Sequence, residues 1–135
     1  MQKSQNSKKN YKKLLKRIKK ISNIGEALGF LRWDQEVMMP EKGTPARAMQ
    51  ISTLSSLQHE LFTAKETGEL LRKIESSELS EKKQSVIREV KREYKRAKRV
   101  PNELIEEISE TTSKAIPAWE EAKEKNDFDM YQPYL

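Results

Sequence analysis

Cysteine is absent from this 135-residue sequence and histidine occurs once, at His59. No disulfide or thiolate metal site can form, and Ser/His/Asp, Cys/His and His-rich metal chemistry are left without support. A chain without cysteine suits a reducing compartment, so a cytoplasmic location is expected. Only four glycines and five prolines are present, with no glycine-rich phosphate loop and no hairpin signal. No apolar run approaches the ~18 residues that would span a bilayer. Residues 1–20 hold nine Lys or Arg and no acid, yet they lack the apolar segment of a secretory signal and read as mature protein.

What is present is charge and helix-forming sequence. Charged residues make up 36% and hydrophobic residues 35% of the chain, so one helical domain over 1–135 with a thin core is expected. The net charge of +6 is unevenly spread: +9 over residues 1–20, −3 over 21–80, +6 over 81–99 and −6 over 100–135. A basic segment joined to an acidic one at Pro101 suits antiparallel neighbouring helices whose facing charges attract. The alternative is a stand-alone basic module binding nucleic acid or a partner helix through residues 8–20 and 82–99. Because solvated charge on helices is the commoner case, nucleic acid is not the expected partner.

Apolar spacing at three and four predicts an all-α fold, with about five amphipathic helices in an antiparallel bundle-like arrangement. The first, from about Lys8 toward Trp33, carries Tyr11, Leu14, Ile18, Ile21 and Leu28, with Gly25 and Gly29 marking a close helix crossing. Pro40 ends it by Met39. Thr44 and Pro45 read as N-cap and first position of a second helix, whose face is Ala46, Met49, Leu54, Leu57 and Leu61. Thr63 to Glu66 fits a capping box opening a third helix with Leu70, Leu71 and Ile74. Ser80 caps a fourth, striped by Val86, Ile87, Val90, Tyr94 and Ala97. Pro101 opens a fifth, with Leu104, Ile108, Thr111, Ala115, Trp119 and Ala122 on one face and a kink at Pro117. Asn126 to Asp129 reads as a stop and a new cap, so residues 126–135 look like the start of an incomplete element.

Little in this pattern offers catalysis. His59-Glu60-Leu61-Phe62-Thr63 comes near the zinc-binding His-Glu-x-x-His helix, but Thr63 replaces the second imidazole and no third ligand is evident. His59 reads as a helix-end cation. Asp34 and Glu36, two apart, diverge on a helix and form no acid/base couple. No catalytic and no metal-ligating residue is therefore assigned.

One block breaks the pattern: Phe30-Leu31-Arg32-Trp33-Asp34-Gln35-Glu36, then Met39-Pro40, Gly43 and Thr44-Pro45, then Ala46-Arg47-Ala48-Met49-Gln50. With Gly68-Glu69-Leu70-Leu71, Val90 to Tyr94, Trp119, Glu124 to Phe128 and Pro133-Tyr134-Leu135, it resembles the N-terminal region of the carboxypeptidase Taq family. The resemblance runs from about Leu14 to Leu135. It implies part of a cytosolic, mostly helical enzyme that removes C-terminal amino acids from peptides, using a divalent metal, zinc or cobalt. In that family the metal ligands and the general base lie far beyond the matched region, so this chain is expected to bind no cofactor and to be inactive alone. The implied partners are a peptide substrate and a second copy in a homodimer, with no membrane. By the same resemblance the chain forms the wall and cover of a substrate groove, with Trp33, Asp34, Gln35 and Arg47 as groove or bracing residues. Bracing is the preferred role.

Overall fold

The computed structural model describes residues 1–74 and 76–135. Among the described residues there are five α-helices: α1 (Gln2–Val37), α2 (Thr44–Thr63), α3 (Lys65–Lys73), α4 (Glu81–Ala97) and α5 (Asn102–Lys125). Short 3₁₀ turns at Glu41–Gly43, Ser76–Glu78, Phe128–Met130 and Gln132–Tyr134 join or follow them. The fold is all-α, with no strand among the described residues. Two compact units emerge, one of residues 1–24 and 58–101, the other of residues 25–57 and 102–135.

The first unit is built on the predicted stripes. Tyr11 and Leu14 of α1 meet Leu71, Ile74, Leu79 and Ile87, with Ile18, Leu70, Val86, Val90 and Tyr94 packed around them. The three-and-four spacing puts the helical members on one face of each helix, while Ile74 and Leu79 join from the connection between α3 and α4; burial is worth roughly 1.5–3 kcal/mol per large aliphatic group. Arg17 adds a polar clamp: its Nε donates to Thr67 Oγ1 at 2.7 Å and its Nη2 to Leu61 O at 2.8 Å. Leu61 O lies in the last turn of α2, where carbonyls lose their helical partners, so the guanidinium satisfies an acceptor left open by the break before α3. Thr67 Oγ1 also donates to Leu61 O at 3.1 Å. Gly68 allows a close approach: a Cβ there would lie 2.5 Å from the Tyr94 hydroxyl oxygen, so a larger residue would displace the Tyr94 ring.

In the second unit the apolar core is small: Leu28, Ala48, Ile51, Ala115 and Ala122. Polar groups fill the rest. Ser52, Ser55, Ser56, Ser113 and Gln35 are all buried. Asn102 Nδ2 donates to Ser56 Oγ at 2.5 Å, and Ser56 Oγ to Glu106 Oε1 at 2.6 Å. Ser52 Oγ reaches Glu106 O at 3.3 Å. These bonds tie α2 to α5 where leucines would otherwise be expected.

Several expectations are overturned here. The buried face of α2 is Ala48, Ile51, Ser52, Ser55 and Ser56, whereas Met49 is 67% and Leu57 41% exposed. The hydroxyls of Ser52 and Ser56 find partners on α5 and that of Ser55 on α1, so burial follows hydrogen bonding rather than hydropathy. On α5, Ile108 and Trp119 are about half exposed while Ser113 is buried. Gly29 is exposed with open space around its Cβ position, so it marks no close crossing. Thr44 is already helical (φ −53°, ψ −47°) and continues from the 3₁₀ turn before it, so it is not an N-cap. The capping box at Thr63 does not form: Thr63 Oγ1 donates back to His59 O at 2.8 Å, and α3 starts after Ala64 with no side-chain cap. Ser80 holds the N-cap position of α4, also without a side-chain bond.

The C-terminal stop is a Schellman arrangement. Asn126 sits at φ 52°, its N–H reaching Lys123 O at 3.4 Å, while Asp127 N–H donates to Ala122 O at 2.9 Å. Asp127 then caps the following turn by accepting from Asp129 N–H. The helix continues through Pro117.

The corrected face of α2 is directly testable. Ile51→Ala is expected to lower unfolding stability by about 2–5 kcal/mol, and Met49→Ala by no more than about 0.5 kcal/mol, in urea titrations.

Candidate functional site

The Trp33 block lies in the second unit, where α1 ends and the chain turns into α2. Pro40 keeps the preceding residue out of helical geometry, so α1 stops at Val37. Asp34 O then accepts from both Met38 N–H (3.0 Å) and Met39 N–H (2.8 Å), closing the helix end. The 3₁₀ turn at Glu41–Gly43 leads straight into α2, with Gly43 packed beside the Met39 side chain.

Four side chains were singled out by sequence, and they separate by role. Arg47, one turn into α2, places Nη1 2.8 Å from Asp34 Oδ2. The same nitrogen donates to Leu31 O at 2.8 Å, and Nε to Gln50 Oε1 at 3.1 Å. Both partners of the Asp34–Arg47 pair are largely shielded from water, with side chains 27% and 16% exposed. Gln35 points elsewhere, its Nε2 donating to Ser113 O of α5 at 2.8 Å inside the unit. Trp33 does neither: it is 51% exposed, with its ring 5.8 Å from that of Phe30. It therefore anchors no core, and it presents an aromatic surface instead. Asp34 and Glu36 diverge as their spacing requires, since Asp34 is held by Arg47 while Glu36 is exposed.

His59 sits apart, in the first unit, with Nε2 2.9 Å from Val100 O. Thr63 Oγ1 is engaged with the helix backbone. Among the described residues no three His, Cys, Asp or Glu side chains converge as a metal site. The residues present do not fit a catalytic divalent cation.

Comparison with known proteins identifies the lineage. The profile of the carboxypeptidase Taq (M32) metallopeptidases matches residues 13–135. The chain belongs to this family. Its relatives include thermostable carboxypeptidase 1 of Pyrococcus furiosus, 41% identical over 125 residues that cover 92% of this chain and 25% of the relative. Carboxypeptidase 1 of Bacillus subtilis is 34% identical over 120 residues, covering 87% of this chain and 24% of its own length. Among solved structures, the crystal structure named BsuCP superposes with a TM-score of 0.87 at 32% identity, covering 93% of this chain and 26% of that one. Metallocarboxypeptidase 1 of Trypanosoma cruzi gives 0.71 at 31% identity, with 93% and 26% covered. This M32 chain thus spans about a quarter of the length of the relatives it matches. M32 carboxypeptidases are metal-dependent, and no residue described here takes part in a metal cluster. No described helix is long and apolar enough to cross a membrane.

Sequence reasoning missed two features of this region. The buried serines of α2 look like surface residues until Glu106 and Asn102 are placed beside them. A small pocket near Gln35 gathers Glu36, Glu41 and Glu120, which are too far apart in sequence to suggest each other.

Breaking the ion pair should show its bracing role. Asp34→Ala and Arg47→Ala are each expected to cost about 1–2 kcal/mol, and the double variant less than their sum by about 0.5–1.5 kcal/mol. Thermal unfolding of the four proteins of the cycle measures this.

Proposed function

We propose that this chain forms the N-terminal helical wall of the substrate groove in a metal-dependent carboxypeptidase, and that it is inactive alone. The observation that carries the reading is the family match over residues 13–135 in a chain a quarter as long as its relatives, with no described metal cluster. Metal, zinc or cobalt, and the general base would come from the remaining three quarters of such an enzyme, supplying activated water for attack on the terminal peptide bond.

Within this reading the Trp33 block divides its work. Asp34, Arg47 and Gln35 hold the helices, as their buried bonds support. Trp33 and Phe30, exposed and adjacent, supply an apolar surface against which a peptide can lie. The substrate class would be peptides with a free C-terminus, and the chain's contribution would be confinement rather than chemistry.

Equilibrium dialysis against zinc or cobalt is expected to leave no metal on the chain, and incubation with a peptide to release no C-terminal residue. Stoichiometric retention or turnover would overturn inactivity. For the wall, Trp33→Ala should keep the melting temperature within about 2 °C, while peptide binding, read by the fluorescence anisotropy of a dye-labelled peptide, weakens. Lost stability with unchanged binding would make Trp33 a brace instead.

A further inference from the structure

The charge of α4 is divided between two faces. Glu89 and Glu93 pair with Arg92 and Arg96 on one of them. Lys91, Tyr94, Lys95 and Lys98 recur at three and four on another. None of these three lysines has an ion pair among the described residues. Helix α3 is laid out in the same way, with Lys65, Gly68 and Arg72 at three and four and Leu71 beside them. Arg72 is likewise without an ion pair among the described residues, and Lys65 comes only within 4.0 Å of Glu69.

These two faces line one pocket of about 530 Å³, a size that suits a small organic molecule. No carboxylate among the described residues contributes to its lining. Five like charges in one hollow repel each other, and an anion entering it relieves that repulsion. One phosphate monoester carries about −1.5 to −2, so it balances fewer than half of them, whereas a chain of two or three phosphates balances most. A nucleic-acid strand would need the cations to continue as a track. Lys91 to Lys98 cover only about 10 Å of helix, and residues 1–20, with nine Lys or Arg, supply none of the lining. The part-buried Tyr94 and the aliphatic stems of the lysines add apolar surface to the same hollow, which suits a planar ring carried on the anion.

We propose that this pocket binds a nucleoside polyphosphate, with Lys65, Arg72, Lys91, Lys95 and Lys98 as counter-charges to the phosphates and Tyr94 as the surface for the base. Every lining residue belongs to the first unit and none to the Trp33 block, so the inference stands apart from the groove-wall reading.

Amide-resolved NMR titration of the chain with ATP in metal-free buffer tests this, with tripolyphosphate and adenosine as its two halves. Saturable shifts centred on Gly68, Leu71 and residues 91–98 are expected, with tripolyphosphate at least ~5-fold weaker than ATP and adenosine weaker still. Lys91→Gln and Lys95→Gln remove cations without ion pairs, and each should weaken ATP by roughly 3- to 10-fold. Lys12→Gln removes the same charge from an exposed site on α1 and should change it by less than ~2-fold. Tripolyphosphate binding as tightly as ATP, an equal loss in Lys12→Gln, or no saturation would overturn the proposal. Tighter binding of a short oligothymidylate, with shifts spread over residues 8–20 as well, would overturn it in favour of a nucleic-acid surface.

Discussion

The second unit depends on one shielded ion pair. Asp34 stands in the last turn of α1 and Arg47 in the first turns of α2, and between them the chain must reverse through Pro40 and a 3₁₀ turn with no buried residue of its own. Such a turn has little packing to hold its angle. Arg47 Nη1 supplies that angle by donating to the Asp34 carboxylate and the Leu31 carbonyl together, two acceptors on the same helix end, while Nε turns to Gln50. With α2 held in this way, Ser52 and Ser56 of its buried face are set against α5, where Glu106 and Asn102 complete their bonds. Gln35, the next residue along α1, ties that helix to Ser113 on α5. Trp33, just before Asp34 on α1, takes no part in these bonds and stands 51% exposed beside Phe30.

How much of this could be read from sequence follows from which force sets each contact. Tyr11, Leu14, Ile21 and Leu28 on α1, and Ile87 on α4, were visible because hydropathy decides their burial and hydropathy is a local property. The Asn126 stop was visible for the same reason, since a left-handed residue at a helix end is a local requirement. Helix α2 was not legible, because its buried face is chosen by hydrogen-bond partners some fifty residues away. Local rules also failed where two of them competed. Thr63 could cap α3 or bond back into α2, and the intact last turn of α2 prevailed. Thr44 could cap or continue, and the preceding 3₁₀ turn made continuation the easier course. Of the candidate site, the family resemblance marked the right stretch, but only geometry separated Asp34, Arg47 and Gln35 from the exposed Trp33. The carboxylates around Gln35 carried no signal, since positions 36, 41 and 120 share no spacing rule.

The two units differ in what stabilises them. In the first, aliphatic stripes close around a continuous core, and the polar clamp at Arg17 finishes a helix break. In the second, five small or medium apolar residues are buried while Phe30, Trp33, Val37, Met38, Met49, Ile108, Trp119 and Phe128 stand about half or more exposed. Single exposed apolar residues need no explanation, but large aromatics and methionines in this number, around a core of alanines and serines, are not the economy of a self-sufficient surface. A buried hydroxyl network contributes only about 1 kcal/mol net per bond, much less per residue than packed leucine. It fixes register instead, because a one-residue shift would strand several acceptors at once. In this unit the polar interior sets geometry while the larger apolar groups face outward, the reverse of the division in the first.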